Sequence, residues 1–457
     1  MSLPRSTPAE QGVDARGIDA FLAALDPLPD VELHSLMVVK NGHVVGERWW
    51  RPYGPDRPHL MYSLSKSFTS TALGFAVAEG LVELDATVLS YFPEWDGRVA
   101  DERSRRIRVR DVAAMASGHA AETVDEALAK GDGDMVLGLL LLPPEYEPGT
   151  FFAYNQPCTN ALSAIVRRVS DGTLTDFLAS RLFEPLEIGT YGWWLDRNRR
   201  ELGYSGLHVT TEAVAKLGQL YLEGGRDLLP ASWVAEATRA HVITDREEGP
   251  DWSQGYGFQF WRGRHGYRGD GAYGQFMLVL PEAGAVVALT GQSEDTPALL
   301  DAVWTHLLPA LTADDGPAGA WPVEWPELPG PAGATADGGP GEWPDLTAPF
   351  AALPSATFTR DPAGGTHRVH TVSVTPTELT LDDGRPVIAG WGDTGGPLVP
   401  LFAFDGDRIR VDVVFVESPH RLRLTLDPAA GTFVEDWQTE PLGSTPLGYL
   451  RMPTTSR

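Results

Sequence analysis

The stretch His59-Leu-Met-Tyr-Ser-Leu-Ser-Lys-Ser-Phe-Thr-Ser-Thr-Ala72 decides how the rest of the chain is read, because it sets Ser63 three residues before Lys66 at the head of an apolar run. On a helix, positions i and i+3 share a face. Ser63 Oγ and Lys66 Nζ can therefore meet at a helix N-terminus, where free N–H groups and the dipole favour developing negative charge. The pattern suits a nucleophile with its base beside it; the plainer alternative is a helix start with Ser63 as its cap. Phe68, Ala72, Phe75, Ala76 and Val77, followed by Gly80, predict a largely buried helix over 65–79 that would hold Ser63 rigidly.

Upstream, residues 13–26 read as an amphipathic helix, and two β-rich runs, 33–40 and 43–50, flank Asn41-Gly42, the strongest short hairpin signal. Downstream, 81–250 is mostly helical in pattern, at 110–116, 123–142, 158–170, 173–184, 211–224 and 231–241. Strands return at 255–261, 274–280 and 285–290, and a helix closes near 296–310. Strands, helices, then strands imply an α+β plan: an antiparallel sheet flanked by terminal helices, with a large helical insertion. Residues 312–345 are rich in Pro, Gly and Ala and read as a linker between a domain at 1–311 and a second at 346–457. In that second part the alternating runs 368–374, 408–416 and 421–426 predict a small antiparallel all-β domain, barrel or sandwich.

The formal net charge of −26 argues against nucleic acid and anionic membranes as partners, since both demand clustered Lys and Arg. A single cysteine, Cys158, rules out an intrachain disulfide and reads as a small packing residue. The N-terminus has no apolar signal segment and no run of about 18 apolar residues occurs, so a cytoplasmic protein is expected. Lysine is scarce, at positions 40, 66, 130 and 216, whereas arginine is abundant. A retained lysine is suited to work arginine cannot do, such as losing its proton.

Two further stretches bear on Ser63. The loop Glu147-Pro-Gly-Thr-Phe-Phe-Ala-Tyr154-Asn155-Gln156 enters an apolar helix, and a tyrosine there can relay a proton or sit half-buried as packing. In Tyr267-Arg-Gly-Asp-Gly-Ala-Tyr-Gly-Gln-Phe-Met-Leu-Val-Leu-Pro281, small residues opening a strand allow close backbone approach and an exposed N–H. Gly269-x-Gly-x-x-Gly274 matches a dinucleotide fingerprint, but a strand follows where a helix is required. The histidines lack ligand spacing, so neither metal nor cofactor is expected.

In this order, Ser-Leu-Ser-Lys, Pro-Gly-Thr-x-Phe-x-Tyr-Asn and the glycine-rich strand ending in Leu-Pro-Glu282 resemble the serine β-lactamase-related hydrolases: class C β-lactamases, DD-peptidases, family VIII esterases and 6-aminohexanoate-dimer hydrolases. The resemblance covers about residues 5–310, and the stretches 111–119 and 206–212 share it. It implies Ser63 as the acylated nucleophile, Lys66 as its base, Tyr154 as the proton relay, and the N–H groups of Ser63 and Ala272 as an oxyanion hole. Gln156, Gly269, Asp270, Gly271, His119 and Arg268 become candidate substrate-binding residues, with Tyr204 and Trp193-Trp194 as pocket walls or packing. Two departures stand out: Gln156 occupies the place of a motif asparagine, and Gly269-Asp270-Gly271 lacks the cation that, in β-lactamases, helps hold the β-lactam carboxylate. Arg268 or His265 could substitute. The expected activity is hydrolysis of an ester or amide of a small molecule or short peptide, more than of a β-lactam. The alternatives are acyl transfer through the same acyl-enzyme, or an idle binding protein of this fold.

Overall fold

The computed structural model describes residues 2–312, 353–361, 368–443 and 445–453. Helix α1 (Ala15–Leu25), capped by Asp14, leads into strands β1 (Val31–Lys40) and β2 (His43–Trp49). Asn41 and Gly42 both take positive φ, 50° and 78°, as a tight hairpin demands, and Lys40 pairs with His43. After a long excursion the chain returns as β3 (Trp261–Gly263), β4 (Gly266–Gly271), β5 (Gln275–Leu280) and β6 (Ala285–Ser293). The sheet order is β2-β1-β6-β5-β4-β3, antiparallel throughout.

Alternation along β1 splits the core in two. Leu36 and Val38 point to one face with Ile18, Phe21, Leu278, Val287 and Leu299, under the terminal helices. Met37 and Val39 point to the other with Phe68, Leu217, Met277 and Val279, under α2 (Ser65–Ala78) and the helix Thr211–Leu222. The expected α+β plan is therefore the one adopted.

Two local expectations fail. Residues 123–142 form two helices, Val124–Lys130 and Met135–Leu141, because Asp132 and Gly133 take left-handed φ of 53° and 82° and Asp134 caps the second helix. Residues 255–261 are not a regular strand: Tyr256 makes isolated bridges to Val242 and Trp261, and Gln259 is left-handed at φ 66°. The Gln259 amide instead binds Ala113 O at 2.8 Å and Thr159 Oγ1 at 2.5 Å.

The C-terminal part is one eight-stranded sheet, nearly closed as a barrel. Its strands are β7 (Ala356–Arg360), β8 (Thr371–Val374), β9 (Glu378–Asp382), β10 (Pro386–Gly390), β11 (Leu398–Asp405), β12 (Arg408–Phe415), β13 (Arg421–Asp427) and β14 (Thr432–Thr439). They are ordered β10-β9-β8-β7-β14-β13-β12-β11, and β7 pairs with β14 in parallel, the one departure from the expected antiparallel pattern. This barrel sits on the N-terminal part: Leu60 N–H donates to Glu417 O at 2.8 Å, Tyr53 packs on Val399 and Val414, and Arg421 bridges Asp412 at 2.7 Å and Glu32 at 3.5 Å. The expected linker at 312–345 lies, apart from Thr312, outside the described residues. Among the described residues no helix is long and apolar enough to cross a membrane.

Candidate active site

A short 3₁₀ turn, Tyr62–Leu64, opens α2, and it carries a partly exposed Ser63 in front of a helix that is buried from Ser65 to Ala76. The helix is buried all round although rich in Ser and Thr, because its hydroxyls find backbone partners. Ser67 donates to Gln259 O, Ser70 to Phe258 O and Thr69 to Gly203 O, while Ser65 Oγ accepts from Leu207 N–H. These bonds bring the segment 203–207 against Lys66.

Lys66 Nζ lies 2.9 Å from Ser63 Oγ and 2.9 Å from the Tyr204 carbonyl. Lys66 is 1% exposed. Burial pushes its pKa down to about 7, against the opposing pull of Glu122 and Asp270. Near neutral pH a large share is thus uncharged: two N–H bonds remain, one usable toward Tyr204 O, and a lone pair is available to the Ser63 hydroxyl.

Tyr154 precedes α3 (Gln156–Ser170) and completes the group. Its ring centroid is 4.8 Å from Lys66 Nζ and 5.6 Å from the Trp261 ring, on which it stacks. Burial raises the phenol above its usual pKa, opposed by a hydrogen bond with Ser63, so Tyr154 keeps its proton at neutral pH. Asn155 next to it is spent on the fold: Oδ1 accepts from Thr123 N–H at 3.0 Å, and Nδ2 donates to Thr123 Oγ1 at 3.1 Å. Gln156 is different, since its Oε1 is buried without a hydrogen-bond partner among the described residues. Cys158 is fully buried and its thiol is pushed up to about 12, as a packing residue's would be.

The end of β4 supplies the third side. A Cβ on Gly269 would stand 2.8 Å from Ser67 Oγ, and one on Gly271 would collide with Met61 O and lie 3.2 Å from Leu64 N. Glycine is needed at both places for closeness of approach. Ala272 follows in the β4–β5 turn, and neither its N–H nor that of Ser63 has an acceptor among the described residues. Asp270 lies between the two glycines, 14% exposed, with its pKa raised by burial and restrained by Arg268. Arg268 is 2% exposed; it binds Asp270 Oδ2 at 2.9 Å and Asp251 O at 2.7 Å. Arg268 is thus held by Asp270 and the Asp251 carbonyl through Nε and Nη1, while its Nη2 is buried without a hydrogen-bond partner among the described residues; His265 is exposed beside Trp304.

His119 has both ring nitrogens bonded within the fold. It is buried, with Nδ1 bonded to Ser117 Oγ and Nε2 to Leu142 O. Trp193 is core, its Nε1 donating to Ser205 O, whereas the Tyr204 ring reaches the site, 5.8 Å from Lys66 Nζ. Sequence reasoning missed the Tyr204 carbonyl, because any residue supplies one. It also missed Glu122, an exposed carboxylate 3.4 Å from Gln156 N–H, and the Trp261 and Tyr256 walls behind Tyr154. Among the described residues no three His, Cys, Asp or Glu side chains converge as a metal site requires.

Curated relatives include the 6-aminohexanoate-dimer hydrolase of Paenarthrobacter ureafaciens, 25% identical over 309 residues, which are 62% of this chain and 78% of that one. The lovastatin esterase of Penicillium rubens is 24% identical over 200 residues, 39% of this chain and 50% of its own. Among solved structures, EstCE1, a hydrolase with promiscuous acyltransferase activity, superposes with a TM-score of 0.54 at 16% identity, covering 63% of this chain and 98% of that one. The family model described as Beta-lactamase matches residues 24–311, more than half of the chain, and the protein belongs to that family of hydrolases.

Proposed function

We propose that this protein is a serine hydrolase that forms an acyl-enzyme on Ser63 and hydrolyses an ester or amide of a small molecule or short peptide. Residues 1–311 would be the catalytic unit and 346–457 an accessory β domain. The observation that carries the reading is the buried amine of Lys66, 2.9 Å from Ser63 Oγ and depressed to about 7. Lys66 takes the Ser63 proton as Oγ attacks the carbonyl carbon. The resulting oxyanion is received by the N–H groups of Ser63 and Ala272. Lys66 then returns the proton through the Tyr154 phenol to the departing alcohol or amine, and water repeats the sequence on the acyl-enzyme. Tyr154 enters as a proton carrier in its neutral form, since its raised pKa leaves little phenolate.

The charges near Lys66 narrow the substrate. Asp270 and Glu122 both act on it, and Arg268 is already engaged by Asp270. A carboxylate placed there would meet repulsion, which supports neutral esters and amides over β-lactams. The test is a panel of nitrophenyl esters, anilides and a chromogenic β-lactam, followed by intact mass. An ester is expected to turn over fastest and to add one acyl group to the chain, with hydrolysis dominant over transfer to an added alcohol. Inertness across the panel would sink the proposal.

Gly271→Ala is expected to push the β4 end off the serine turn, because its Cβ would collide with Met61 O. Turnover should fall by roughly 100-fold through misplacement of the Ala272 N–H. The stability cost should be about 1–3 kcal/mol. Thermal unfolding beside kinetics separates the two, and unchanged turnover would count against Ala272 in the oxyanion hole.

A further inference from the structure

Two non-glycine residues with left-handed backbone stand immediately beside the two proposed oxyanion donors: Tyr62, φ 45°, before Ser63, and Tyr273, φ 64°, after Ala272. Such conformations cost free energy in residues with a Cβ and persist only where the surroundings hold them. Here the holding groups come from the C-terminal barrel. Tyr62 OH is 2.6 Å from His420 Nε2, and Tyr273 OH donates to Glu440 O at 2.7 Å. The three rings close on one another, with centroids 5.6 Å apart for Tyr62–Tyr273, 5.8 Å for Tyr62–His420 and 5.7 Å for Tyr273–His420.

The imidazole is fixed in one form. His420 Nδ1 is 3.1 Å from Thr439 O, a carbonyl that can only accept, so Nδ1 carries the proton and Nε2 accepts from Tyr62. Burial keeps the ring neutral. The segment that presents Glu440 O is itself clamped by Arg368, which binds Glu440 Oε1 at 3.1 Å and Pro441 O at 2.7 Å. Each phenol is thus tied, through a different bond, to the same barrel, and each tie ends one residue from an N–H that must point at the oxyanion.

We infer that the C-terminal barrel sets the oxyanion hole, with His420 as a positioning residue that acts through Tyr62 while Glu440 O acts through Tyr273. The inference rests on the serine hydrolase reading above. It assigns the barrel a task in the reaction in addition to its packing role, since an oxyanion hole depends on donors held in place before charge develops.

The experiment uses the full chain and the ester on which Ser63-dependent turnover is seen. Tyr62→Phe, Tyr273→Phe and His420→Phe are compared for kcat, KM, affinity for a boronic acid that forms a tetrahedral adduct on serine, and thermal midpoint. Each is expected to lower kcat about 10- to 100-fold while KM stays within about twofold, and boronate affinity should fall in parallel. The double variant Tyr62→Phe/His420→Phe should lose less than the two single losses combined, because both remove the Tyr62–His420 bond. His420→Gln, which can accept from Tyr62 and donate to Thr439 O, should recover much of the loss. If His420→Phe does not fold, the two tyrosine variants decide. Wild-type kcat in Tyr62→Phe and Tyr273→Phe, with only the thermal midpoint lowered, overturns the inference and leaves the hydrolase reading standing. Absence of any Ser63-dependent turnover overturns both.

Discussion

Ser63→Ala is expected to lower turnover of the best ester by about 10⁴- to 10⁶-fold, the range in which removal of a serine nucleophile falls when its partners act as a unit. What remains should be the contribution of binding and of the oxyanion donors alone. The variant should keep its fold: Ser63 is partly exposed and sits in the 3₁₀ turn, whereas the buried packing of α2 comes from Phe68, Ala72 and Leu73. The check is a fluorophosphonate probe with intact mass, beside a thermal melt. Wild type should gain one adduct and Ser63→Ala none, with melting midpoints within a few degrees. Equal labelling of the two proteins would remove Ser63 from the mechanism.

The second large effect is a step in pH. Lys66 serves as base only when neutral, and burial holds its pKa near 7, so kcat/KM should rise through about pH 7 and level off above it. Tyr154, pushed above its usual value, should add no descending limb near neutrality. Lys66→Met should lower kcat/KM by about 10²- to 10⁴-fold and erase the step. Stability gives an independent reading of the same group. In the unfolded chain lysine titrates near 10.4, so between about pH 7 and 10 the unfolded state binds more protons through this residue and its burial penalty shrinks as pH rises. The penalty is complete below about pH 7. The melting midpoint of Lys66→Met relative to wild type should therefore be highest on the acid side and decline toward pH 10. A flat difference would mean that Lys66 is charged in the folded protein.

Much of this was legible in the residues. Asn41-Gly42 between β-rich runs determined the β1–β2 hairpin, because few residues tolerate positive φ twice in succession. Period-two and period-3.6 patterns determined the α+β plan. The order of Ser63 and Lys66, then Tyr154, then Gly269 and Gly271 identified the group of residues that the fold assembles around Ser63. The split of 123–142 was less legible, since an Asp-Gly pair inside an apolar helical pattern is a weak break until tertiary packing takes it up.

What only the tertiary structure decided concerns distance and burial. Local sequence does not encode that Tyr204 O would meet Lys66, that Arg268 would pair with Asp270 and the Asp251 carbonyl, or that His119 would bond Ser117 and the Leu142 carbonyl. Nor could it pair Tyr62 with His420, 358 residues away. Sequence patterning reports which face of an element is buried; the partner on that face, and the pKa that burial imposes, exist only after distant segments have packed together.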